Sequence, residues 1–326
     1  MSSAPSFASD FYKLGPVRRL DRWLHALPHP SLVVEISPAH VAAARWAKVR
    51  GTLETYAVEP LPTGAIVPSP VDANMVNPDA VRSALRRVFS RVSDPGAEVG
   101  LLVPDPVVRV FILPFESLPR RAEDALPLLR WRLKKSVPFD VEETVVSWTR
   151  QSGRAGNLEV VTAVARQRIV REYEEILESF GAHAGVVLSS TLATLPLLED
   201  RGATLLVRMT GRTLTTVIVQ GPNLTVYRST ETPSESGLVD AQAMLDEIFP
   251  AIAYYQDTWG GSVDRVRISG LGAREEVFRK ALSGELKVPV GGLTETEEAL
   301  MLASGAKDLM RSNLDPLVGW MLNGGS

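Results

Sequence analysis

Near its N-terminus the chain alternates short apolar runs with turn residues. Apolar runs at residues 31–36, 41–46 and 53–58 are divided by turns at Ser37–Pro38 and Arg50–Gly51. Runs of this length that end at Pro or Gly are typical of β-strands. The pattern therefore predicts a meander of three strands.

The second half of the chain begins in the same way. Apolar runs at residues 204–209, 214–219 and 224–228 are divided by turns at 210–212 and 221–223. A repeated beginning of this kind indicates an internally duplicated fold. The chain has 326 residues, which exceeds the usual size of a single hydrophobic core, so we expect two lobes.

Helices and further strands are predicted between and after these meanders. Asn77 and Pro78 form the N-cap and first turn of a helix that extends to Val92. Pro127 is either near the start of a helix at 118–135 or a kink in it. Further helices are predicted at 166–180, 240–259 and 295–305, and strands at 99–103, 107–113, 159–165 and 263–268. This alternation predicts an α/β fold.

Composition narrows the class of protein. Hydrophobic residues make up 45% of the chain and charged residues 22%, which is ordinary for a globular protein with a large core. A net charge of −3 gives no indication of nucleic-acid binding. The absence of cysteine excludes disulfides and Cys-based zinc sites and fits a reducing compartment. The chain has no apolar run of membrane-spanning length and no signal-peptide pattern, so we expect a cytoplasmic protein.

Both ends of the chain carry apolar residues outside the expected lobes. Residues 11–27 form a basic amphipathic pattern that either packs on the protein's own body or lies on a membrane surface. The tail from Lys307 is too apolar for a solvated linker, so it either docks on the body or is covered by a partner. We expect an N-terminal extension at 1–30, a first lobe at 31–190 with a subdomain inserted at about 99–165, a second lobe at 191–305 with a shortened small subdomain, and a tail at 306–326.

Common catalytic and metal-binding motifs are absent from the sequence. The chain has no Walker loop, no HExxH and no GxSxG. His25 and His29 are four residues apart, but Pro28 breaks the helix that would align them for a metal ion. We therefore assign no catalytic residue and no metal ligand. The basic stretch at 120–135, which contains Trp131, is either a solvated helix face or a face near anionic lipid.

Several stretches, in this order, resemble the type IV pilus assembly protein PilM family. The residues LPTGAI at 61–66 end the first meander as in that family. The segment at 118–148, with its corner VPFD at 137–140, is similar to the signature helix and strand, and the segment at 160–181 is similar to the next signature. The turn at 269–273 is similar to the Gly-rich turn after a late strand. The resemblance implies a divergent member with the two-lobed, actin-like ATPase fold shared with FtsA.

The resemblance also implies a nucleotide cleft, but its key positions are changed here. An actin-like ATPase surrounds phosphate with backbone N–H groups of two glycine-bearing hairpins and holds Mg²⁺ through aspartates. The family's Asp, Gly and Lys of the first hairpin fall on Glu35, Ser37 and Ala42. Its Asp and Gly of the second hairpin fall on Arg208 and Thr210. The candidate nucleotide-binding positions, which are degenerate, are Glu35, Ser37, Arg208, Thr210, Gly211, Gly270 and Gly272.

Two of these positions lead to structural expectations. Arg208 replaces a metal-holding acid, and we expect it to enter the cleft between the lobes, where it either pairs with Glu35 or faces solvent. Gly270 and Gly272 either belong to a nucleotide loop or form a tight strand-to-helix turn that binds no ligand.

The function that the resemblance implies is that of a cytoplasmic platform protein of type IV pilus or related type II secretion assembly, a pseudo-ATPase at the inner face of the cytoplasmic membrane. The implied partner is a PilN-like inner-membrane protein, whose N-terminal cytoplasmic segment would lie in a groove between the meander at 31–58 and the inserted subdomain. The alternative is a functional ATP-binding ATPase that regulates pilus assembly, and ATP with Mg²⁺ is expected only in that case. A third hypothesis is that only the fold is similar and that the protein serves another envelope complex. Self-association remains open.

Overall fold

A computed structural model of the chain describes residues 29–47, 52–92, 98–232, 241–300 and 302–323. The amphipathic segment at 11–27 and the predicted turn at Arg50–Gly51 lie outside these residues. The strands are β1 (Leu32–Ile36), β2 (His40–Trp46), β3 (Leu53–Pro60), β4 (Glu98–Val103), β5 (Arg109–Phe115), β6 (Thr144–Ser152), β7 (Leu158–Arg166), β8 (His183–Ser189), β9 (Ala203–Thr210), β10 (Thr213–Gln220), β11 (Asn223–Glu231), β12 (Arg265–Ser269) and β13 (Val290–Gly292).

The α-helices connect these strands and complete the C-terminal part of the chain. They are α1 (Pro78–Val92), α2 (Ala122–Leu133), α3 (Gln167–Glu178), α4 (Ser190–Thr194), α5 (Ala241–Trp259), α6 (Glu275–Leu286), α7 (Glu297–Leu300), α8 (Ser304–Arg311) and α9 (Asp315–Asn323). Each helix in the described part of the chain lacks the length or the apolar content that crossing a membrane requires.

Two five-stranded sheets repeat one topology, as the duplicated sequence pattern predicts. The first sheet has the order β3-β2-β1-β4-β8 and the second the order β11-β10-β9-β12-β13. In each sheet three antiparallel strands form a meander, and two parallel strands are added beside its first strand. The α/β fold with duplicated meanders is therefore confirmed.

A third sheet, of three antiparallel strands in the order β5-β7-β6, forms the inserted subdomain. The insertion was expected to start at about residue 99, but β4 pairs with β1 inside the first sheet, so the inserted sheet starts at Arg109. The reason is the composition of β4. Its residues from Val99 to Val103 are all buried, as expected of a parallel strand that is covered on both faces.

The inserted sheet is also attached to the second lobe. The Gln151 side-chain amide donates to the Leu224 carbonyl oxygen at 2.6 Å, and its oxygen accepts from the Leu224 N–H at 3.1 Å. Arg154 donates to the Thr258 carbonyl oxygen at 2.9 Å. Gln151 is buried, so this pair of hydrogen bonds fixes the end of β6 to β11.

Two predicted helices need comment. Pro127 lies inside α2, one turn after its start, so this helix continues through the proline. The single helix predicted at 295–305 is wrong, because α7 ends at Leu300 and a separate helix, α8, begins at Ser304. Helix α7 begins at Glu297 because the hydroxyl of Thr296 accepts the Ala299 N–H at 3.1 Å and so caps the helix.

The C-terminal tail docks on the body between the two lobes. Leu317 and Trp320 of α9 belong to one buried apolar cluster with Leu102 of the first sheet and Leu206 of the second. Two glycines allow the close packing of α9, Gly100 in β4 and Gly319 in α9 itself. A Cβ at Gly100 would lie 2.3 Å from the Trp320 ring, and a Cβ at Gly319 would lie 2.0 Å from the Ala193 carbonyl oxygen.

We predict that Gly100→Ala lowers the free energy of unfolding by about 1–3 kcal/mol, because the added methyl group displaces the Trp320 ring and with it α9. Urea unfolding measures the change. Gly284→Ala is the matched control. Gly284 lies in α6 with open space around it, so this substitution should stabilise the protein by about 1 kcal/mol. Equal effects of the two substitutions would contradict the packing of α9.

Candidate functional site

Arg208 of β9 lies buried between the lobes, with 4% of its side chain exposed. Its Nη2 is 3.8 Å from Glu35 Oε1, which confirms the expected pairing across the cleft. The nearer carboxylate is that of Asp315 at the start of α9, whose Oδ2 accepts from Arg208 Nε at 3.3 Å. Nη1 donates to Thr210 Oγ1 at 2.7 Å. The guanidinium thus connects β1, β9 and the C-terminal tail.

The carboxylate of Glu35 is held from two sides in the first lobe. Ser190 Oγ donates to its Oε1 at 2.9 Å, and His40 Nε2 lies 3.4 Å from its Oε2. Burial acts to raise the pKa of Glu35. The hydrogen bond and charge of His40, the charge of Arg208 and the Ser190 hydroxyl outweigh burial, so the pKa of Glu35 lies below its ordinary value. Glu35 therefore remains ionised inside the protein.

Asp105, which follows β4, forms the second half of this network. Its oxygens accept hydrogen bonds from the N–H and hydroxyl of Thr191, from Thr215 Oγ1 at 2.7 Å and from the Tyr227 hydroxyl at 3.3 Å. Thr191 lies in α4, directly after β8 of the first sheet, whereas Thr215 and Tyr227 lie in strands of the second sheet. Burial and the charge of Asp105 raise the pKa of Tyr227 well above its ordinary value, so its hydroxyl stays protonated and donates.

One cation, Arg208, lies among the three buried carboxylates of this network. Burial acts to lower the pKa of Arg208, but the charges of Asp315, Asp105 and Glu35 raise it above its ordinary value. Ser269 Oγ donates to Asp315 Oδ2 at 3.1 Å. Because these groups are buried and bonded to one another, the cleft is filled by the protein's own charged side chains.

Sequence reasoning missed Asp105 and Asp315. Each carries a signal that could have identified it, because each is an acidic residue in an otherwise apolar stretch. Asp105 stands between two prolines after the run at 99–103, and Asp315 stands between Leu314 and the apolar end of the tail. A single carboxylate in such a context is rarely left without a partner.

In the first hairpin, the side chain of Ser37 forms hydrogen bonds with backbone groups of the turn. Ser37 Oγ accepts the N–H groups of Ala39 at 3.3 Å and His40 at 3.1 Å, and it donates to the His40 carbonyl oxygen at 3.0 Å. A phosphate-binding hairpin needs such N–H groups for the anion. In this turn the serine hydroxyl takes the place that an anion's oxygen would take.

The second hairpin closes against the first. Gly211 has φ +60°, which the tight turn between β9 and β10 requires, and a Cβ added there would lie 3.6 Å from Pro38 Cβ. The hydroxyl of Thr210, the residue before Gly211, accepts a hydrogen bond from Arg208. One methyl group added at Gly211 would therefore bring the tips of the two hairpins into van der Waals contact, and little space separates them for phosphate groups.

The glycines after β12 have different surroundings. A Cβ at Gly270 would lie 1.9 Å from the Met209 carbonyl oxygen, so this position needs glycine for packing against β9. Gly272 has φ +55° and no atom within 4 Å of an added Cβ. Gly270 is therefore required by close packing at the strand-to-helix turn, whereas Gly272 needs glycine only for its backbone angle.

These residues do not fit a bound magnesium nucleotide. The carboxylates nearest the cleft are engaged by Arg208 and by hydroxyl groups, the N–H groups of the first hairpin are occupied, and a guanidinium stands where the family pattern has a metal-holding acid. Among the described residues, no three His, Asp or Glu side chains are arranged to hold a metal ion.

A separate cavity of about 220 Å³ lies between β8 and the inserted sheet. It is lined by Val108, Ser147, Ala163, residues 185–189 and Leu192. Because β8 and β3 are opposite edges of the first sheet, this cavity is not beside the meander at 31–58, where a groove was expected. The reason is that β4 and β8 are both added on the β1 side, so β8 becomes the edge that faces the inserted sheet.

Comparison with known proteins places the fold. No protein-family model matches the chain, and no curated protein matches it. Among solved structures, the chain is similar to a chain of the PilM-PilN type IV pilus biogenesis complex, with 16% identity and a TM-score of 0.68, over 91% of this chain and 99% of that chain. The fold is the actin-like fold of that protein. The resemblance to PilM is therefore confirmed at the level of the fold.

Two further structures are less similar. One is a protein of Bacteroides thetaiotaomicron with an actin-like ATPase fold, at 10% identity over 90% of this chain and 97% of that chain, with a TM-score of 0.49. The other is the cytoplasmic domain of EpsL, an inner-membrane component of the type II secretion system of Vibrio cholerae. It is 15% identical over 73% of this chain and 80% of that chain, with a TM-score of 0.44.

We predict that Arg208→Met destabilises the protein by about 3–5 kcal/mol, because it leaves buried carboxylates without their cation. The measurement is the free energy of unfolding in urea at neutral pH. Arg212→Met is the matched control, since Arg212 lies in the same hairpin but is half-exposed and pairs with the exposed Glu231. The control should change stability by less than about 1 kcal/mol. A similar loss in both variants would disprove the central role of Arg208.

The lowered pKa of Glu35 predicts acid sensitivity. A carboxyl whose pKa is lower in the folded state contributes stability above its unfolded-state pKa, near 4.5, and loses it as pH falls toward the folded value. We therefore expect the unfolding free energy of the native protein to fall below about pH 4.5 more steeply than that of Glu35→Gln. Urea titrations at a series of pH values compare the two slopes, and parallel curves would argue against an ionised Glu35.

Proposed function

We propose that the protein is a platform protein of type IV pilus or related type II secretion assembly, which holds the cytoplasmic N-terminal segment of a PilN-like inner-membrane partner. The observation that supports this proposal most strongly is the cavity along β8, in a fold similar to that of a protein in a PilM-PilN complex. In this proposal the protein stands at the inner face of the cytoplasmic membrane because its partner is anchored there.

The edge position of β8 supports binding of an extended segment. β8 ends the first sheet, and residues 185–189, five in succession, line the cavity. An edge strand has backbone N–H and C=O groups that an added strand can bond, while neighbouring pockets accept alternate side chains. A partner segment would therefore bind along β8 in an extended conformation.

The chemistry of the cavity indicates the kind of side chain that would enter it. Its lining is mostly aliphatic, with the hydroxyls of Ser147 and Ser189 as its polar groups. Val145 shares the sheet face of Ser147, two residues away on β6, and is 49% exposed, so it extends the apolar strip beyond the cavity. We expect aliphatic side chains of the partner to occupy this strip, and about 220 Å³ is enough for one of them.

The filled cleft supports a role without ATP hydrolysis. In an ATPase of this fold the two lobes are joined through nucleotide and metal, whereas here Arg208 with Asp315, Asp105 and Glu35 joins them directly. The lobes would therefore stay closed with no ligand. The competing hypothesis, a functional ATPase that regulates pilus assembly, requires this network to open first.

We expect no magnesium-dependent ATP binding at micromolar concentrations and no ATP hydrolysis, since Ser37 occupies its hairpin amides and Arg208 replaces a metal-holding acid. Isothermal titration calorimetry of the purified protein with ATP and Mg²⁺ tests this expectation. A clear binding isotherm that disappears without Mg²⁺ would favour the ATPase hypothesis.

We also predict that Ala163→Glu weakens binding of the partner's N-terminal peptide at least about tenfold, because it places a charge in the apolar lining of the cavity. Fluorescence anisotropy of the labelled peptide measures the affinity. Val277→Glu is the matched control, since Val277 is 60% exposed on α6 of the second lobe. Folding of both variants is checked by circular dichroism. Unchanged binding by Ala163→Glu would place the peptide elsewhere.

A further inference from the structure

We propose that the outer face of α2, formed by Leu128 and Trp131, together with Lys134 and Lys135 directly after the helix, is a docking surface for an anionic lipid bilayer. The inner face of this helix is explained by packing, because Ala125, Leu129 and Leu133 are buried against the inserted sheet. The outer face has no such explanation.

The apolar residues of the α2 outer face are unusually exposed. Trp131 is 72% exposed, and Leu128, one turn before it on the same side of the helix, is 42% exposed. Packing within the described part of the chain leaves them uncovered, although the core buries other residues of these types, such as Trp320 and Leu129. Large apolar side chains that are adjacent and exposed indicate a surface that meets another apolar phase.

The charge of this segment is opposite to that of the whole chain. Residues 118–135 contain six basic residues and two acidic ones, whereas the chain has a net charge of −3. Arg130 is neutralised by Glu142 at 2.9 Å. Lys134 and Lys135 are exposed, and neither forms an ion pair with another residue in the part of the chain that the structure describes. The positive charge beside Trp131 is therefore available to an anionic surface.

A bilayer fits this combination better than a protein partner does. Tryptophan is favoured at the level of the lipid headgroups, and lysine extends its apolar stem along the interface while its amine reaches the phosphates. The apolar part of the face consists of Leu128 and Trp131, which is small compared with the area of about 800 Å² that each partner buries in a stable protein interface. A bilayer needs no shape complementarity, so a small convex face is sufficient.

The position of this face leaves the β8 cavity open. Along β7, Val160 and Val164 point to α2, whereas Ala163 points to the cavity, so the two surfaces lie on opposite faces of the inserted sheet. If the proposed function holds, a partner anchored in the membrane would keep the protein close to the lipid, and a weak contact would then be sufficient. The lipid contact itself does not require the partner.

Co-sedimentation of the full chain with vesicles, in the absence of any partner, tests the proposal. We expect binding to vesicles of phosphatidylcholine mixed with phosphatidylglycerol, little binding to phosphatidylcholine alone, and release by high salt. Each lysine near an anionic surface strengthens binding about fivefold, so the double variant Lys134→Glu/Lys135→Glu should lose at least about tenfold. Trp131→Ala should also weaken binding.

Matched variants exclude general effects of charge and of the N-terminal segment. Lys280→Glu/Lys287→Glu changes the net charge equally on exposed positions of the second lobe and should bind as the native protein does. Tyr254→Ala, which removes another exposed aromatic ring, is the control for Trp131→Ala. The triple variant Arg18→Glu/Arg19→Glu/Arg22→Glu tests the basic segment at 11–27. When the α2 substitutions are added to this variant, they should still weaken vesicle binding.

Three results would overturn the proposal. They are equal binding to both kinds of vesicle, loss of binding only in the Arg18/Arg19/Arg22 variant, and self-association that Trp131→Ala abolishes while vesicle binding is absent. The last result would assign the face to a second copy of the chain. Because no partner peptide is present, failure here is separate from failure of the peptide-binding test with Ala163→Glu.

Discussion

The buried guanidinium of Arg208 is the interaction on which the arrangement of the lobes depends. It lies among carboxylates that come from three parts of the chain, Glu35 in β1, Asp105 after β4 and Asp315 at the start of α9. A buried cation with too few carboxylates would be costly, and so would these carboxylates without the cation. Because these groups come from both lobes and from the tail, the buried cation and its carboxylates meet only when the three parts come together.

Apolar packing supports the same closed arrangement. The cluster between the two five-stranded sheets includes residues of α9, and Gly100 and Gly319 allow this helix to lie against β4 and α4. The inserted sheet is connected to the second lobe by Gln151 and Leu224. These contacts join the first sheet and its inserted subdomain to the second lobe and to α9. Opening the cleft would therefore break apolar packing and hydrogen bonds together. This fits a protein whose cleft is a structural joint.

The two surfaces that we propose for function both belong to the inserted subdomain. Its inner face and β8 enclose the apolar cavity, and its outer face is covered by α2 with Trp131 exposed. Both faces depend on the alternation of side chains along β7, so a shift of one residue in strand register would exchange them. The subdomain is thus the element through which a scaffold of this fold would contact other components, with the lobes as its rigid support.

The local pattern of the sequence determined most of the elements. Strand runs bounded by Gly and Pro predicted both meanders, and helical periodicity predicted α1, α3 and α5, because these signals arise from neighbours in sequence. Boundaries that depend on distant partners were missed. β4 belongs to the first sheet because of its pairing with β1, and the predicted helix at 295–305 is divided into shorter ones.

Through the family pattern of two facing hairpins, the sequence also predicted that Arg208 enters the cleft and either pairs with Glu35 or faces solvent, and the structure shows the pair. Only the tertiary structure brought Asp105 and Asp315 to them, and only it showed the cavity beside β8. Long-range electrostatic pairing leaves no periodic trace in a sequence, since a carboxylate and its cation can be separated by any length of chain. Strand order is likewise decided by which edges meet in space, and apolar runs of similar composition do not encode it.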